Sequence, residues 1–223
     1  MVSMSTSYCM NDDNERNLSR KAYDIILQMI INRELPVNTV LQERRLAEMM
    51  DISRTPVRNA LNRLENEGFI VRNGGRTPVV KEFSIQELIE TLHVRRTLEG
   101  EAARLAAGRI PGDELDAIAR QIKRLLSQDR PDPKEDWAVD TRLHDAIAHY
   151  SGNRLLKGYI QTLRLKTSMF NLRQVPERFV IGHNEHLAII EALRNGQAEQ
   201  ARDLLIAHID NVRESIIKRL SQF

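Results

Sequence analysis

Apolar residues recur at steps of three and four along most of this 223-residue chain, and this spacing predicts helices rather than strands. The first apolar stripe predicts an amphipathic helix over residues 18–35, which Pro36 and Asn38 would end. Two further stripes, in residues 42–64, predict a pair of short helices joined by a tight turn. The apolar positions that would pack this pair together are Leu46, Met49, Ile52, Val57, Ala60, Leu61 and Leu64.

The turn between these two helices carries suitable residues. Asp51 tolerates the unusual backbone angle that such a turn needs, Ser53 is a good N-cap, and Pro56 falls in the first helical turn. The outward face of the second helix is polar and carries arginine, which predicts a helix-turn-helix with a DNA-reading surface. Its outward residues are Arg54, Thr55, Arg58, Asn59 and Asn62.

A short hairpin is predicted directly after these helices. Gly68 ends the second helix, and β-prone runs at 69–71 and 79–81 flank the turn residues 73–76. The pieces together predict a winged helix-turn-helix domain over residues 17–82. The polar residues 1–16 before it are expected to form a disordered arm.

From residue 84 onward the pattern is entirely helical. Breaks at Pro111, residues 129–133, Gly152, Pro176 and Gly196 divide it into six helices with short joints. We expect these helices near 84–108, 112–128, 134–150, 153–171, 177–195 and 197–221. The fold class is therefore predicted as mainly α, with an N-terminal winged helix-turn-helix domain and a C-terminal all-α antiparallel bundle over residues 84–223.

Composition narrows the cellular setting. The net charge is only +2, but residues 44–81 hold eight basic and four acidic residues, so the basic excess lies on the predicted DNA-reading domain. The single cysteine, Cys9, excludes an internal disulfide. No secretory signal and no apolar run of membrane-spanning length is present, so we expect a cytoplasmic protein without a membrane partner.

Histidines on apolar helix faces suggest a metal site. Asp140 and His144 are four residues apart on the apolar side of one helix, while His186 and His208 lie on the apolar stripes of two others. Buried polar groups need partners, and a divalent ion would satisfy all four at once. These ligand types suit Zn²⁺ or Ni²⁺.

Other interpretations of these residues stay open. Each histidine could be a hydrogen-bonded core residue rather than a ligand. His183, one turn before His186, could be a spare ligand, but we expect it near the rim of the cavity or exposed. Asp145 and His149 are also four residues apart, on a face that we expect to be solvated. Arg95 is four residues before the acidic Glu99, on the inner face of its helix: the pair could be a structural salt bridge, or Arg95 could offer its guanidinium to a carboxylate ligand at the metal.

The chain resembles the GntR family of bacterial transcription regulators. Residues 41–70 carry the stretch LQERRLAEMMDISRTPVRNALNRLENEGFI, which is similar to the family's DNA-binding motif. The helical half resembles the FadR-type (FCD) effector-binding domain, in its shorter, VanR-like form. The matching segments are VRRTLEGEAARLAA at 94–107, DTRLH at 140–144, SGN at 151–153, EHLAIIEAL at 185–193, and His208.

The resemblance implies a homodimer that binds a short palindromic operator in double-stranded DNA. It implies that Arg44, Arg54 and Arg58 contact bases or phosphates, that Ser53 and Thr55 anchor the DNA backbone, and that Gly74, Gly75 and Arg76 form the wing tip. It further implies that the metal ligands of the metal-dependent members correspond to Asp140, His144, His186 and His208, and that the effector is a small organic acid.

The function expected from all of this is that of a sequence-specific transcriptional regulator, a repressor controlled by a small organic-acid effector at a metal-containing cavity. Two alternatives remain at this point. Three histidines and a carboxylate around an open metal position could also activate water in a hydrolase, although no inward general base stands beside them. The metal could instead serve only to stabilise a DNA-binding protein.

Overall fold

The computed structural model describes residues 6–74, 77–169 and 178–220, and it divides into two units, Met1–Phe83 and Ser84–Phe223. The first unit contains α1 (Thr6–Ile31), α2 (Glu43–Met50), α3 (Arg54–Asn66), β1 (Ile70–Asn73) and β2 (Thr77–Val80). The second contains α4 (Ile85–Ala106), α5 (Gly112–Leu126), α6 (Pro133–Tyr150), α7 (Arg154–Ser168), α8 (Arg178–Arg194) and α9 (Ala198–Leu220). The winged helix-turn-helix and the six-helix unit agree with the predicted architecture.

The first unit packs α1 against α3 over an apolar core. Ile26, Leu61, Leu64 and Phe69 are fully buried in it. Two sequence expectations differ from the structure here. Helix α1 begins at Thr6, so the arm expected to be disordered over residues 1–16 is helical from that residue on. Met49 is 52% exposed, because the short α2 turns Leu46 and Ala47 toward the core instead.

The turn between α2 and α3 has the geometry that the sequence predicts. Asp51 adopts a left-handed conformation with φ 52°, and the backbone N–H of Ile52 donates to the carbonyl of Ala47 at 3.1 Å, which closes α2. Ser53 occupies the N-cap position of α3, although its hydroxyl makes no capping hydrogen bond. The turn thereby sets the start of α3 and its exposed polar face.

The wing is an antiparallel pair, with Ile70 opposite Val80 and Asn73 opposite Thr77. Residues 38–41 run along the other side of β2, where Leu41 N–H donates to the carbonyl of Pro78 at 2.8 Å. Arg72 on β1 donates to Glu65 at 2.6 Å and to Asn62 at 2.8 Å, so the hairpin is tied directly to α3.

The second unit is a bundle whose core receives side chains from all six helices, α4 to α9. A capping box at Ser84 and Glu87 starts α4, and Asn153 caps α7 through its side chain. Fully buried apolar side chains from successive helices fill the interior. Among them are Leu115, Ile118, Ile122, Leu143, Ile160, Ile189 and Leu205. No helix in the described ranges is both long and apolar enough to span a bilayer.

Helices α4 and α9 approach closely at Gly100. A Cβ atom at this position would lie 2.8 Å from Cγ1 of Ile206, closer than real Cβ atoms come to a neighbour. Glu99 and His208 lie one and two residues from this contact, on the two helices concerned. The glycine therefore allows the approach that brings site residues of α4 and α9 together.

Gly100→Ala should destabilise the second unit by about 1–3 kcal/mol, because the added methyl overpacks the α4–α9 contact. Gly158→Ala on α7 is the matched control: a Cβ atom added there would meet nothing within 4 Å, and alanine favours a helix over glycine by about 0.5–1 kcal/mol. Urea unfolding followed by the fluorescence of the single tryptophan, Trp137, measures both variants. Equal stability of the two variants would contradict the proposed close contact.

Candidate nucleic-acid interface and metal centre

The outward face of α3 is polar and accessible. Ser53, Arg54, Thr55, Arg58 and Asn59 are all exposed, while Val57, Ala60 and Leu61 of the same helix are buried. The helix thus presents hydrogen-bond donors on one side and fixes itself to the core with the other. This is the division that a helix entering the major groove needs.

Two of the predicted DNA-contacting arginines form ion pairs in the free protein. Arg44 Nε lies 2.8 Å from Glu48, and the guanidinium of Arg54 lies 3.3 Å from Glu43. Both arginine side chains are highly exposed, so these pairs contribute little to stability and leave the arginines able to exchange partners. Gly74 lies in the wing turn with φ 64°, whereas Gly75 and Arg76 lie outside the described residues.

The four predicted metal ligands come together in the second unit. One ligand atom from each of Asp140, His144, His186 and His208 can be chosen so that all lie within 4.8 Å of one another. The one-turn spacing on α6 brings Asp140 beside His144, and α8 and α9 supply one histidine each. The three histidines are 1–6% exposed, which places the cluster in the interior of the bundle.

The distances within this cluster suit a bound cation. Nε2 of His186 lies 3.2 Å from Nε2 of His208 and 3.6 Å from Oδ1 of Asp140, and Nε2 of His144 lies 3.7 Å from that same oxygen. Around an ion with bonds of about 2.1 Å, neighbouring ligand atoms lie about 3.0–3.4 Å apart. These three pairs lie within a few tenths of an ångström of coordination distances, and the four ligand atoms together lie within 4.8 Å of one another.

Two carboxylates fix the orientation of two of the imidazoles by contacting the Nδ1 atoms, on the side of each ring away from the centre of the cluster. Nδ1 of His144 is hydrogen-bonded to Glu99, and Nδ1 of His208 lies 2.7 Å from Oε2 of Glu185. Each Nδ1–H that donates to a carboxylate leaves the lone pair of Nε2 directed at the centre of the cluster. Nε2 of His144 is buried and has no hydrogen-bond partner within the described part of the chain. A bound cation suits these lone pairs better than another hydrogen bond would.

Electrostatics favour the metal-binding protonation state of Asp140, His144 and His186. Burial raises the pKa of Asp140, but the charge of Arg164 and the neighbouring imidazoles outweigh it and hold the pKa below its usual range. Burial and the nearby positive charge of Arg164 lower the pKa of His144, and burial and His208 lower that of His186. An ionised carboxylate beside neutral imidazoles is the form that binds a divalent ion.

Glu185 has its own strong partners. Burial raises its pKa, yet hydrogen bonds from His208, Arg178 and Asn211 prevail and lower the pKa to about 2. The guanidinium of Arg178 lies 3.0 Å and 2.5 Å from its two oxygens, and Nδ2 of Asn211 lies 2.8 Å away. Glu185 therefore remains an acceptor for His208 at any physiological pH.

A cavity of about 490 Å³ opens beside the cluster. Asp140, His186 and His208 line it, together with the guanidinium groups of Arg95 and Arg164. Other residues in its wall are Pro131, Trp137, Thr167, Phe179 and Val212. This size lies within the range of small-molecule sites.

Arg95 and Glu99 form the inward pair that the sequence predicts. Nε of Arg95 donates to Glu99 at 2.6 Å, and one of its terminal nitrogens donates to Thr167 at 2.9 Å. Arg95 makes this salt bridge and also lines the cavity. The salt bridge therefore does not exclude a role for Arg95 in binding a ligand.

Two side chains of the candidate site escaped the sequence prediction, and a third was placed only in part. Arg164 is 6% exposed and donates to Asp140 at 2.5 Å, and its signal was an arginine on the buried stripe of Leu156 and Ile160. Glu185 gave no signal beyond its place next to His186. His183 was expected near the cavity rim or exposed, or else as a spare ligand: the expectation of exposure is wrong, because the side chain is 3% exposed and lines the cavity on the same inward face of α8 as His186.

The second histidine and carboxylate pair on α6 lies elsewhere. Asp145 and His149 line a separate surface groove together with Arg142, Tyr150 and Lys157, and His149 is exposed. This position agrees with the expectation of a solvated face.

Comparison with known proteins identifies both units. The family model described as "Bacterial regulatory proteins, gntR family" matches residues 18–80, and that of the FCD domain matches residues 90–211. A protein of Escherichia coli (strain K12) named for regulation of its L-lactate dehydrogenase operon is 31% identical, over 93% of this chain and 89% of its own length.

Solved structures support the fold. E. coli McbR/YncC aligns with a TM-score of 0.74 at 22% identity, over 92% of this chain and 97% of its own. The Zn²⁺-bound FCD domain of TM0439 aligns with a TM-score of 0.52 at 25% identity, over 64% of this chain and 99% of its own. That domain binds zinc in the fold that the second unit shares.

The carboxylate behind His208 should contribute to metal affinity. Glu185→Gln is expected to weaken binding of a divalent metal by about 10- to 100-fold, because it removes the charge that orients and polarises the imidazole. Glu191→Gln, on the same helix but paired with Asn195 at the surface, should leave affinity unchanged. Competition with a chelating dye of known affinity measures both, and equal affinities would show that Glu185 does not support a ligand.

Proposed function

The chain belongs to the GntR family of bacterial regulatory proteins and is a DNA-binding transcriptional regulator with an FCD effector domain, and we propose that it is a repressor released by a small organic acid. The acid binds in the cavity beside a divalent metal ion held by Asp140, His144, His186 and His208. The observation that carries this proposal is the convergence of three buried imidazoles and an ionised carboxylate on one point in the wall of a cavity. The family's regulators are not enzymes, so the hydrolase alternative is set aside.

For DNA recognition we propose a homodimer on a palindromic operator, with α3 of each protomer in the major groove. Arg54 and Arg58 read base edges, Arg44, Ser53 and Thr55 hold phosphates, and the wing tip with Gly74, Gly75 and Arg76 contacts the adjacent backbone or minor groove. The exposure of the described members of this set supports the assignment. Much of the affinity comes from phosphate contacts and falls steeply with salt, and the protein acts in the cytoplasm, where its DNA lies.

The metal we propose is zinc, with nickel as the next candidate. The ligand set of three nitrogens and one oxygen suits both ions, and the zinc-bound relative has the same type of domain. The ion supplies a Lewis-acidic anchor for a carboxylate, and three protein residues besides its ligands shape that end of the cavity: Arg95, Arg164 and Thr167. A guanidinium offers two parallel donors to a carboxylate, which makes Arg95 the proposed contact to the acid.

An acid changes the affinity for the operator only if it binds one conformational state of the regulator more tightly than the other. Coupling energies of this kind are typically about 1–3 kcal/mol, which corresponds to a shift in operator affinity of about 5- to 150-fold. The relative named for L-lactate dehydrogenase regulation supports organic acids as the effector class.

Deletion of the gene should raise expression from the controlled promoter, and a fall in expression would mean activation instead.

Arg58→Ala should weaken binding to the operator by about 1–3 kcal/mol and relax its base preference, because one base contact is lost. Binding to unrelated DNA at low salt should change much less. Arg124→Ala is the control, since Arg124 is an exposed arginine paired with Glu135 in the second unit. Gel-shift titrations with the protein's own upstream region measure both variants, and operator affinity equal to wild type for Arg58→Ala would contradict the placement of α3.

His186→Ala and His208→Ala should each lose the metal and the response to acids while retaining operator binding. His149→Ala removes an exposed histidine of α6 and should keep both properties. Elemental analysis gives the metal content, and gel shifts with a panel of organic acids give the response. Full metal occupancy in both ligand variants would mean that the site is misassigned. Loss of metal with an unchanged response to acids would mean that the metal is only structural.

A further inference from the structure

A groove of about 400 Å³ lies in the first unit, between the N-terminal part of α1 and the middle of α3. Helix α1 supplies Arg16 and Arg20 to its wall, and α3 supplies Asn59 and Arg63. All four of these residues are exposed. Arg16 belongs to the segment in which the sequence predicted a disordered arm, so the early start of α1 completes this wall.

The charge of the groove is mainly positive. Its wall holds three arginines and one acidic residue, Glu15, a net of +2. Arg63 pairs with Glu67 at 2.9 Å, and counting this carboxylate as well leaves a net of +1. The guanidinium of Arg63 also stacks on the ring of Tyr23, with its central carbon 3.8 Å from the ring centroid, so this arginine is held in place. A groove with this charge attracts anions.

The groove follows one edge of the exposed polar face of α3. Asn59 belongs to that face, and Arg63 comes one turn later. The wing occupies the opposite edge, where Arg72 donates to Asn62 at 2.8 Å and to Glu65 at 2.6 Å. With 3.6 residues per turn, the pair at 59 and 63 and the pair at 62 and 65 point in directions about 110° apart around the helix axis. The polar face of α3 therefore lies between the wing and this groove.

The dimensions of DNA determine what such an edge would meet. An α-helix with its side chains is about 10–12 Å across, and the major groove is about 12 Å wide. A helix that enters the groove fills its width, so structure at the two edges of the helix meets the two sugar-phosphate backbones rather than base edges. A guanidinium offers two parallel donors to a phosphate, which suits the exposed arginines of α1 to this position.

We propose that Arg16 and Arg20 bind backbone phosphates of the operator on the side of the major groove opposite the wing. This site deepens the proposed function and rests on it, because it requires α3 to enter the major groove. Asn59 lies in the same groove and donates its amide to the same backbone. Phosphate contacts position a protein without reading sequence, so the two arginines add affinity for any duplex and no base preference.

Arg16→Ala and Arg20→Ala test the site in the full-length protein through the salt dependence of operator binding. Each phosphate contact contributes about 0.9 to the slope of log affinity against log salt concentration. A homodimer carries each arginine twice, so each substitution should make the slope less steep by about 1.8. Affinity for operator and for unrelated DNA should fall by the same factor, which leaves base preference unchanged. Fluorescence anisotropy with labelled duplexes measures all of these quantities.

Two further variants on α1 separate the groove from overall charge. Lys21→Ala removes the same charge from an exposed neighbouring residue that is not part of the groove wall, and it should keep the wild-type slope. Arg20→Lys keeps a point charge that a phosphate accepts, and it should retain most of the slope that Arg20→Ala loses. Circular dichroism should give wild-type helix content for every variant.

Ethylation interference gives a second measurement, which locates the contacted phosphates. Ethylation removes the charge of single phosphates in the operator, and a set of them should weaken binding of the wild-type protein. Arg16→Ala and Arg20→Ala should each become insensitive to ethylation at part of that set, on the backbone away from the wing. Lys21→Ala should show the wild-type pattern.

The outcomes distinguish this site from the proposed function. If the wild-type protein selects its operator, but both alanine variants keep the wild-type slope and interference pattern, the phosphate site is wrong while recognition by α3 stands. A change of slope as large in Lys21→Ala would also overturn the site, because overall charge would then explain the effect. If the wild-type protein does not prefer its upstream region to unrelated DNA, the proposed function fails, and this site fails with it.

Discussion

The contacts of Glu99 with His144 and of Glu185 with His208 are the interactions on which the rest of the site depends. Each carboxylate binds the Nδ1 side of an imidazole and so leaves its Nε2 facing the centre of the cluster. Without these contacts the rings could turn or change tautomer, and the four ligand atoms would not converge beside Asp140. The orientation is built by parts of the chain far apart in sequence, which makes the site a property of the folded bundle.

The same carboxylates connect the metal cluster to the cavity. Glu99 is paired with Arg95 at 2.6 Å and lies 3.8 Å from Arg164, and both arginines line the space where a ligand would bind. Buried charges are tolerated only when they are paired, so none of these groups can move independently of the others. An anion that engages Arg95 would therefore act on groups already bonded to the candidate metal ligand His144. The close approach of α4 and α9 at Gly100 holds this network together.

Local signals predicted most of the fold and the cluster of candidate metal ligands. Proline and glycine breaks placed all six helices of the second unit within a few residues of their observed bounds, and the spacing of Asp140 and His144 placed both on one face. Arg164 and Glu185 were missed because their partners lie 24 and 23 residues away, on other helices, where no periodic pattern connects them. Helix α1 was predicted too short, since the polar residues before residue 18 gave no apolar stripe.

X-ray absorption at the edge of the bound metal, measured on the full-length protein, tests the central claim most directly. The account predicts one divalent ion per chain, surrounded only by nitrogen and oxygen atoms, with scattering that requires three imidazole rings. It also predicts that addition of a binding acid changes the oxygen contribution but keeps all three rings. An ion with fewer than two imidazole ligands, or with a sulfur ligand, would contradict the arrangement of His144, His186 and His208 around one metal.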